Sequence, residues 1–299
     1  MAVAYERLPI WGIIVLAPLP CPRGCQLPHV TKIVSLTNVA QDASDGVQQA
    51  GGDGHGANQS VSGEPIESVS GGVITIGNFD GVHLGHQALL GEVRRLASEL
   101  GGPAVAVVLD PHPAAILRPD KAPMRLTWIE RRAELMDRLG IDGLVVCETT
   151  PEFLRMSASE FFEALVIRRL AARSMVEGPN FFFGRDRGGD VETLKQLCDA
   201  SQIDLQIAKP TEFDGQMISS TRIRGQLGAG DVEEAARLLG TPHRIRGQVT
   251  QGAKRGRQLG FPTANHFGVD VVVPAHGVYG GIATIEGRRH HAAIHVGPN

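Results

Sequence analysis

At 299 residues the chain is long enough for two domains with cores of their own. Its 29 Lys and Arg against 32 Asp and Glu leave a net charge of −3, which excludes a strongly basic surface of the kind that carries nucleic-acid binding. Cys21, Cys25, Cys147 and Cys198 make neither a disulfide framework nor a zinc spacing, and no apolar run is long enough to cross a membrane, so the reading is a cytoplasmic protein without a membrane partner.

Residues 1–30 contain a short apolar run, Ile10 to Leu19, interrupted by Pro18 and lacking a small-residue cleavage site. They read as an extension, from disorder or a misassigned start, rather than a signal peptide. Gln41 to Gly72 is rich in Gly, Ser, Gln, Asp and Asn and offers little to pack. Residues 1–70 are therefore expected to be largely linker or disordered, with Ile33 to Leu36 as a candidate edge strand.

The apolar β-branched run Val73 to Ile76 meets Gly77, and a glycine-containing turn leads into helical spacing through Leu89, Leu90, Val93, Leu96 and Leu100, closed by Gly101. A strand, a tight loop and a helix in this order form the junction at which open α/β sheets bind phosphates. His83 and His86 fall at i and i+3 on one side of the first helical turn. Free backbone N–H groups and the positive helix end attract an anion there, each imidazole can donate to a phosphate oxygen, and Gly85 lets a triphosphate approach the backbone. A pair of structural histidines is the plainer alternative.

Ala104 to Leu109 reads as a buried strand ending in Asp110-Pro111-His112-Pro113, where two prolines exclude helix and make a rigid loop, either a simple turn or part of a binding edge. Trp128 to Leu139 has helical spacing, and Gly143 to Cys147 reads as a further strand. Ser157-Ala158-Ser159-Glu160 is a capping box that starts a helix through Phe161, Phe162, Leu165 and Val166. A strand near Ser174 to Val176 runs into Glu177 to Asp190, which combines Phe181, Phe182 and Phe183 with glycines and with Arg185 and Arg187. That mixture suits a loop with an aromatic side and an outward basic side. Val191 to Ala200 as helix and Ile203 to Ile207 as strand complete an alternation that predicts a doubly wound parallel sheet.

Ile218-Ser219-Ser220-Thr221-Arg222-Ile223-Arg224 places three hydroxyls and a base at a predicted helix start, either an ordinary cap or a second anion site. A helix from Asp231 to Leu239 ends at Gly240, where the domain boundary is expected. Beyond it, His243 to Thr250, Gly277 to Glu286 and His290 to Val296 read as antiparallel strands of a barrel or sandwich. Between them lies Gly252-Ala253-Lys254-Arg255-Gly256-Arg257-Gln258-Leu259-Gly260-Phe261-Pro262-Thr263-Ala264-Asn265, which is not a Walker loop.

Gly77-Asn78-Phe79-Asp80-Gly81-Val82-His83-Leu84-Gly85-His86-Gln87 resembles the signature of the His-x-Gly-His nucleotidyltransferases, in the form found in bacterial bifunctional riboflavin kinase/FAD synthetases. The resemblance spans roughly residues 71–299 and implies a Rossmann-like FMN adenylyltransferase domain over 71–240, then an incomplete antiparallel β-barrel riboflavin kinase domain over 241–299. It implies His83, His86 and Arg224 as catalytic groups, and Gly77, Phe79, Asp80, Gly85, Ser219, Ser220 and Thr221 at ATP. Asn180, Phe181, Phe183 and His112 are implied at the flavin, because Asn180 to Gly184 matches the family's Asn-Phe-x-Phe-Gly loop. Gly252, Gly260, Thr263 and Asn265 match the kinase signature, as does Gly277-Val278-Tyr279-Gly280.

The implied small molecules are ATP with Mg²⁺, FMN, FAD and riboflavin. The kinase's carboxylate base is expected beyond Asn299, so kinase activity is the weaker expectation. Another transferase of the same superfamily, or a flavin-binding protein without kinase activity, are the rival readings. Oligomeric state is left open.

Overall fold

The computed structural model of the chain describes residues 11–16, 31–41, 66–250, 263–285 and 287–298. These divide into two compact units, one holding residues 31–41, 66–123 and 130–212, the other 11–16, 124–129 and 213 onward. The first strand, β1 (Trp11–Leu16), belongs to the second unit.

The first unit is built on β2 (Lys32–Leu36), β3 (Val73–Ile76), β4 (Ala104–Asp110), β5 (Gly143–Glu148), β6 (Ser174–Glu177) and β7 (Asp204–Ile207). All neighbours pair in parallel, in the order β2-β5-β4-β3-β6-β7. Strand order reverses at β3, which puts the topological switch point, where such sheets bind ligands, beside its carboxyl end. The strands read as continuous apolar runs because helices cover both faces, and Ile74, Val105, Val107, Val145, Leu165 and Met175 share one buried core.

Helix α1 (Leu84–Leu100) buries Leu90, Val93 and Ala97 and ends on left-handed Gly101, as its spacing predicts. The prolines after β4 do not exclude helix: Pro113 occupies the first position of a short helix, α2 (Pro113–Leu117), capped by His112. Proline is tolerated there because that N–H has no helical partner in any case. Helix α3 (Ile129–Asp137) begins one residue after Trp128, which leaves the helical pattern and packs with Ile245 and Val271 in the second unit. The Ser157 capping box is present, with Ser157 Oγ accepting from Glu160 N and Glu160 Oε2 accepting from Ser157 N, and it opens α4 (Ala158–Phe161), continued as a π-helix over Phe162–Arg169. Asp190 caps α5 (Val191–Ala200).

The second unit holds a five-stranded antiparallel sheet in the order β11-β10-β1-β12-β13, formed by β10 (Arg244–Thr250), β11 (Asn265–Phe267), β12 (Gly277–Ile285), β13 (Arg288–Val296) and β1. The ribbon of β8 (Glu212–Phe213) and β9 (Gln216–Met217) turns through Asp214 and Gly215, both at positive φ. Helices α6 (Ser220–Ala229) and α7 (Val232–Leu239) also belong to this compact unit, which takes up the chain near residue 213, ahead of the boundary expected at Gly240.

Two segments of the expected linker region are strands. β1 pairs with β10 and β12 in the middle of the antiparallel sheet, and β2 pairs in parallel with β5 at the edge of the other. The apolar run around Ile13 to Leu16 has the length of a strand, and its backbone groups find partners on both sides.

Candidate active site

Every residue from Gly77 to His86 lies on the loop from β3 into the first turn of α1, and the loop is strained. Phe79, Gly81 and Val82 have φ of 45°, 90° and 43°. Left-handed backbone suits Gly81 but is costly for a buried aromatic and costlier for a buried β-branched residue, so surrounding contacts must hold it. At Gly77 a Cβ would lie 3.2 Å from the Phe79 ring, which would have to shift by a few tenths of an ångström to admit it.

Three contacts supply the restraint. Arg132 on α3 donates to Asn78 O at 3.0 Å and pairs with Asp80 at 3.3 Å, both partners of the ion pair being 5% exposed. Gln87 Nε2 donates to Val82 O at 2.8 Å. Glu177, at the end of β6, accepts from Ile76 N at 2.7 Å. Arg132 and Glu177 are the residues that sequence reasoning missed. In Glu130-Arg131-Arg132 the charges look like a solvated helix face, and no local pattern marks Glu177 as buried.

His83 is the N-cap of α1, its Nδ1 accepting from His86 N at 3.3 Å. An accepting Nδ1 places the ring hydrogen on Nε2, where it is a donor. The His83 and His86 rings stack with centroids 3.6 Å apart, and Phe79 packs edge-on against His86 at 5.1 Å. Burial holds the His86 pKa well below the usual imidazole range, and the neighbouring His83 and Arg132 push it the same way. His86 is therefore neutral near pH 7, a hydrogen-bond donor that brings no charge of its own.

His112 joins this site from the adjoining strand end. Its Nδ1 accepts from Ala114 N at 3.0 Å, so the ring hydrogen sits on Nε2, which meets the Asn78 side-chain amide at 3.0 Å. Gly85 is the second residue of α1.

The Glu177 to Asp190 segment divides its aromatics. Phe183, implied at the flavin, is 6% exposed and packs against Phe161 at 5.6 Å. Phe181 stacks on Phe183 at 5.3 Å and is half-buried, and Asn180 is exposed. Arg187 lies over the exposed Phe182 ring at 4.3 Å.

In the second unit Ser219 caps α6, its Oγ accepting from Arg222 N at 3.2 Å, which leaves the hydroxyl hydrogen available to an anion. Ser220 and Thr221 are the first two residues of that helix. Arg224 donates to Met124 O at 2.7 Å. Arg222 donates to Phe213 O and Gln216 O and pairs with Glu234. Thr263 is exposed and Asn265 begins β11, whereas Gly252 and Gly260 lie outside the described residues.

A doubly wound sheet whose switch-point loop carries two stacked imidazoles at a helix N-terminus has the framework of a nucleotide-binding enzyme, in which such a helix end suits phosphate. The FAD synthetase family model matches residues 66–222 and the riboflavin kinase family model residues 239–299. The chain is 38% identical over 225 residues to a protein of Pseudomonas fluorescens, covering 75% of this chain and 72% of that one. It is 34% identical over 229 residues to one of Listeria monocytogenes (76% and 72%) and 36% over 227 residues to one of Bacillus subtilis (75% and 71%). All three are named bifunctional riboflavin kinase/FMN adenylyltransferase. The chain belongs to that family.

A crystal structure described as a macrolide-efflux protein from Streptococcus pneumoniae superposes with a TM-score of 0.69 at 31% identity, covering 80% of this chain and 77% of the other. Among the described residues of the present chain no helix is long and apolar enough to cross a membrane.

Proposed function

We infer that this chain transfers AMP from ATP to FMN, releasing pyrophosphate and forming FAD, and that its second unit phosphorylates riboflavin to FMN. The observation that carries the first activity is the stacked His83–His86 pair at the N-terminus of α1, at the switch point of the parallel sheet.

A phosphate oxygen of FMN attacks the α-phosphorus of ATP in line, and the bond to the bridging oxygen of the β-phosphate breaks as pyrophosphate leaves. The protein positions the reactants and stabilises developing charge, without a covalent intermediate. His83 and His86 donate to the α-phosphate, with the backbone N–H groups of the first turn behind them. The hydroxyls of Ser219, Ser220 and Thr221, with Arg224, are groups suited to phosphate, while Asn180, Phe181, Phe183 and His112 are assigned to the flavin. Mg²⁺ comes in with the nucleotide: among the described residues no three or more His, Cys, Asp or Glu form a group that could hold it. When bound it neutralises phosphate charge. Thr263 and Asn265 offer neutral oxygens suited to a nucleotide-borne metal in the kinase reaction.

The test is chromatographic product analysis of the whole chain with ATP and Mg²⁺, given FMN or riboflavin. FAD from FMN and FMN from riboflavin are the expected products. FMN binding without pyrophosphate release would reduce the protein to a flavin binder, and turnover only with phosphopantetheine or nicotinamide mononucleotide would reassign the substrate.

A further inference from the structure

The switch point opens a gap in the sheet, and one buried side chain fills it. β3 and β6 pair only at Val73↔Ser174 and Ile74↔Met175, although β3 stays paired with β4 as far as Ile76↔Val107 and β6 with β7 as far as Glu177↔Ile207. On one side of β3 the hydrogen bonding continues, with Gly77 N donating to Val107 O at 2.9 Å. On the other, Ile76 N–H has lost its strand partner, and Glu177 Oε1 takes it at 2.7 Å. Ile76 is the last residue before the loop that carries Phe79 and Val82 in left-handed backbone and leads to His83.

We propose that Glu177 is a positioning residue for adenylyl transfer, its carboxyl standing in for the missing strand partner of Ile76 and fixing the point from which the His83–His86 loop departs. The proposal rests on the adenylyltransferase reading. Glu177 is 2% exposed, a place where a carboxyl without purpose would be selected against in favour of an apolar residue. Burial raises its pKa well above the carboxylate range, against the opposing hydrogen bond from Ile76 N, so near neutrality the group is an uncharged acid. An uncharged acid is closely matched by glutamine, whose amide oxygen can accept the same hydrogen bond.

The experiment compares wild type, Glu177→Gln and Glu177→Met as full chains, measuring kcat and KM for FAD formation together with amide hydrogen exchange. Glu177→Met is expected to lower kcat about 10- to 100-fold with little change in KM, because displacing the loop disturbs transition-state geometry before ground-state binding. Glu177→Gln is expected to keep kcat within about threefold of wild type. In Glu177→Met the Ile76 amide should exchange about tenfold faster or more, while β4 and β5 amides keep their protection.

Wild-type kcat in the Met variant overturns the proposal, as does unchanged Ile76 exchange. Loss of protection across the whole sheet overturns it too, since Glu177 would then support the fold in general. Absence of FAD from the wild type overturns the functional reading itself, a result the comparison among variants cannot mimic.

Discussion

The two helix N-termini that carry phosphate motifs are built in opposite ways. At α1 the capping group is an imidazole, the preceding backbone is left-handed at Phe79 and Val82, and Arg132, Gln87 and Glu177 hold the loop from three directions. At α6 the capping group is the Ser219 hydroxyl, the N-cap backbone is extended, and Thr221 is exposed. The difference is one of preorganisation. A group that stabilises charge as it develops must be in place beforehand, so strain and buried ion pairs are tolerated around it. Under the proposed assignment α1 stabilises charge as it develops, whereas a group that binds phosphate reversibly must also release it, which hydroxyls on an ordinary cap allow.

Breaking the restraint at α1 should have the largest effect. Asp80→Ala leaves the Arg132 guanidinium buried without its carboxylate, and a loss of about 3–5 kcal/mol is expected in denaturant unfolding. A loss below about 1 kcal/mol would show that the other partners of Arg132, Asn78 O among them, suffice to hold it. Next comes His86→Ala, which should lower kcat for FAD formation by about 100- to 1000-fold with far less change in ATP affinity. Unchanged turnover would remove His86 from the chemistry and leave the stacked pair a structural feature.

The buried titratable groups at α1 sharpen the comparison through pH. Glu177 has a raised pKa in the folded state, so its favourable contribution is complete below the unfolded carboxylate range and is lost as pH rises towards the folded value. Glu177→Gln should therefore melt higher than wild type at pH 8, with the difference shrinking at pH 5. His86 has a lowered pKa, so its contribution is present above about pH 6.5 and is lost as pH falls below it. His86→Asn should flatten the acid side of the stability profile in the same melting series.

The smallest effect belongs to α6. Ser219→Ala removes the acceptor for Arg222 N and should cost about 1 kcal/mol of stability, together with a severalfold rise in the KM for ATP. A fall in kcat as deep as that of His86→Ala would mean that the two termini share the catalytic work after all.

Much of this architecture is legible in the order of residues because it depends on local rules. Continuous apolar runs at Val73, Ala104 and Gly143 mark strands buried on both faces, Gly101 and Gly240 mark left-handed helix ends, and Ser157 with Glu160 marks a capping box. His83 and His86 are likewise legible, since helical geometry alone puts residues three apart on one side. Proline at the start of α2 shows the limit of such rules, because whether Pro113 breaks a helix or begins one depends on which residue caps it.

Contacts between residues distant in the chain were decided by tertiary structure alone. Glu177 meets Ile76, Arg132 meets Asp80, and Trp11–Leu16 finds its place between strands that begin at Arg244 and Gly277. Phe183 likewise packs with Phe161 and Phe181 in the core, contacts that only the folded chain brings about. The sequence by itself determined most elements of the parallel sheet and its helices, the histidine pair and the family, for these rest on spacing and local conformational preference. The folded structure decided which charges are buried and what holds the strained loop, because desolvation and long-range hydrogen bonds exist only once distant segments have met.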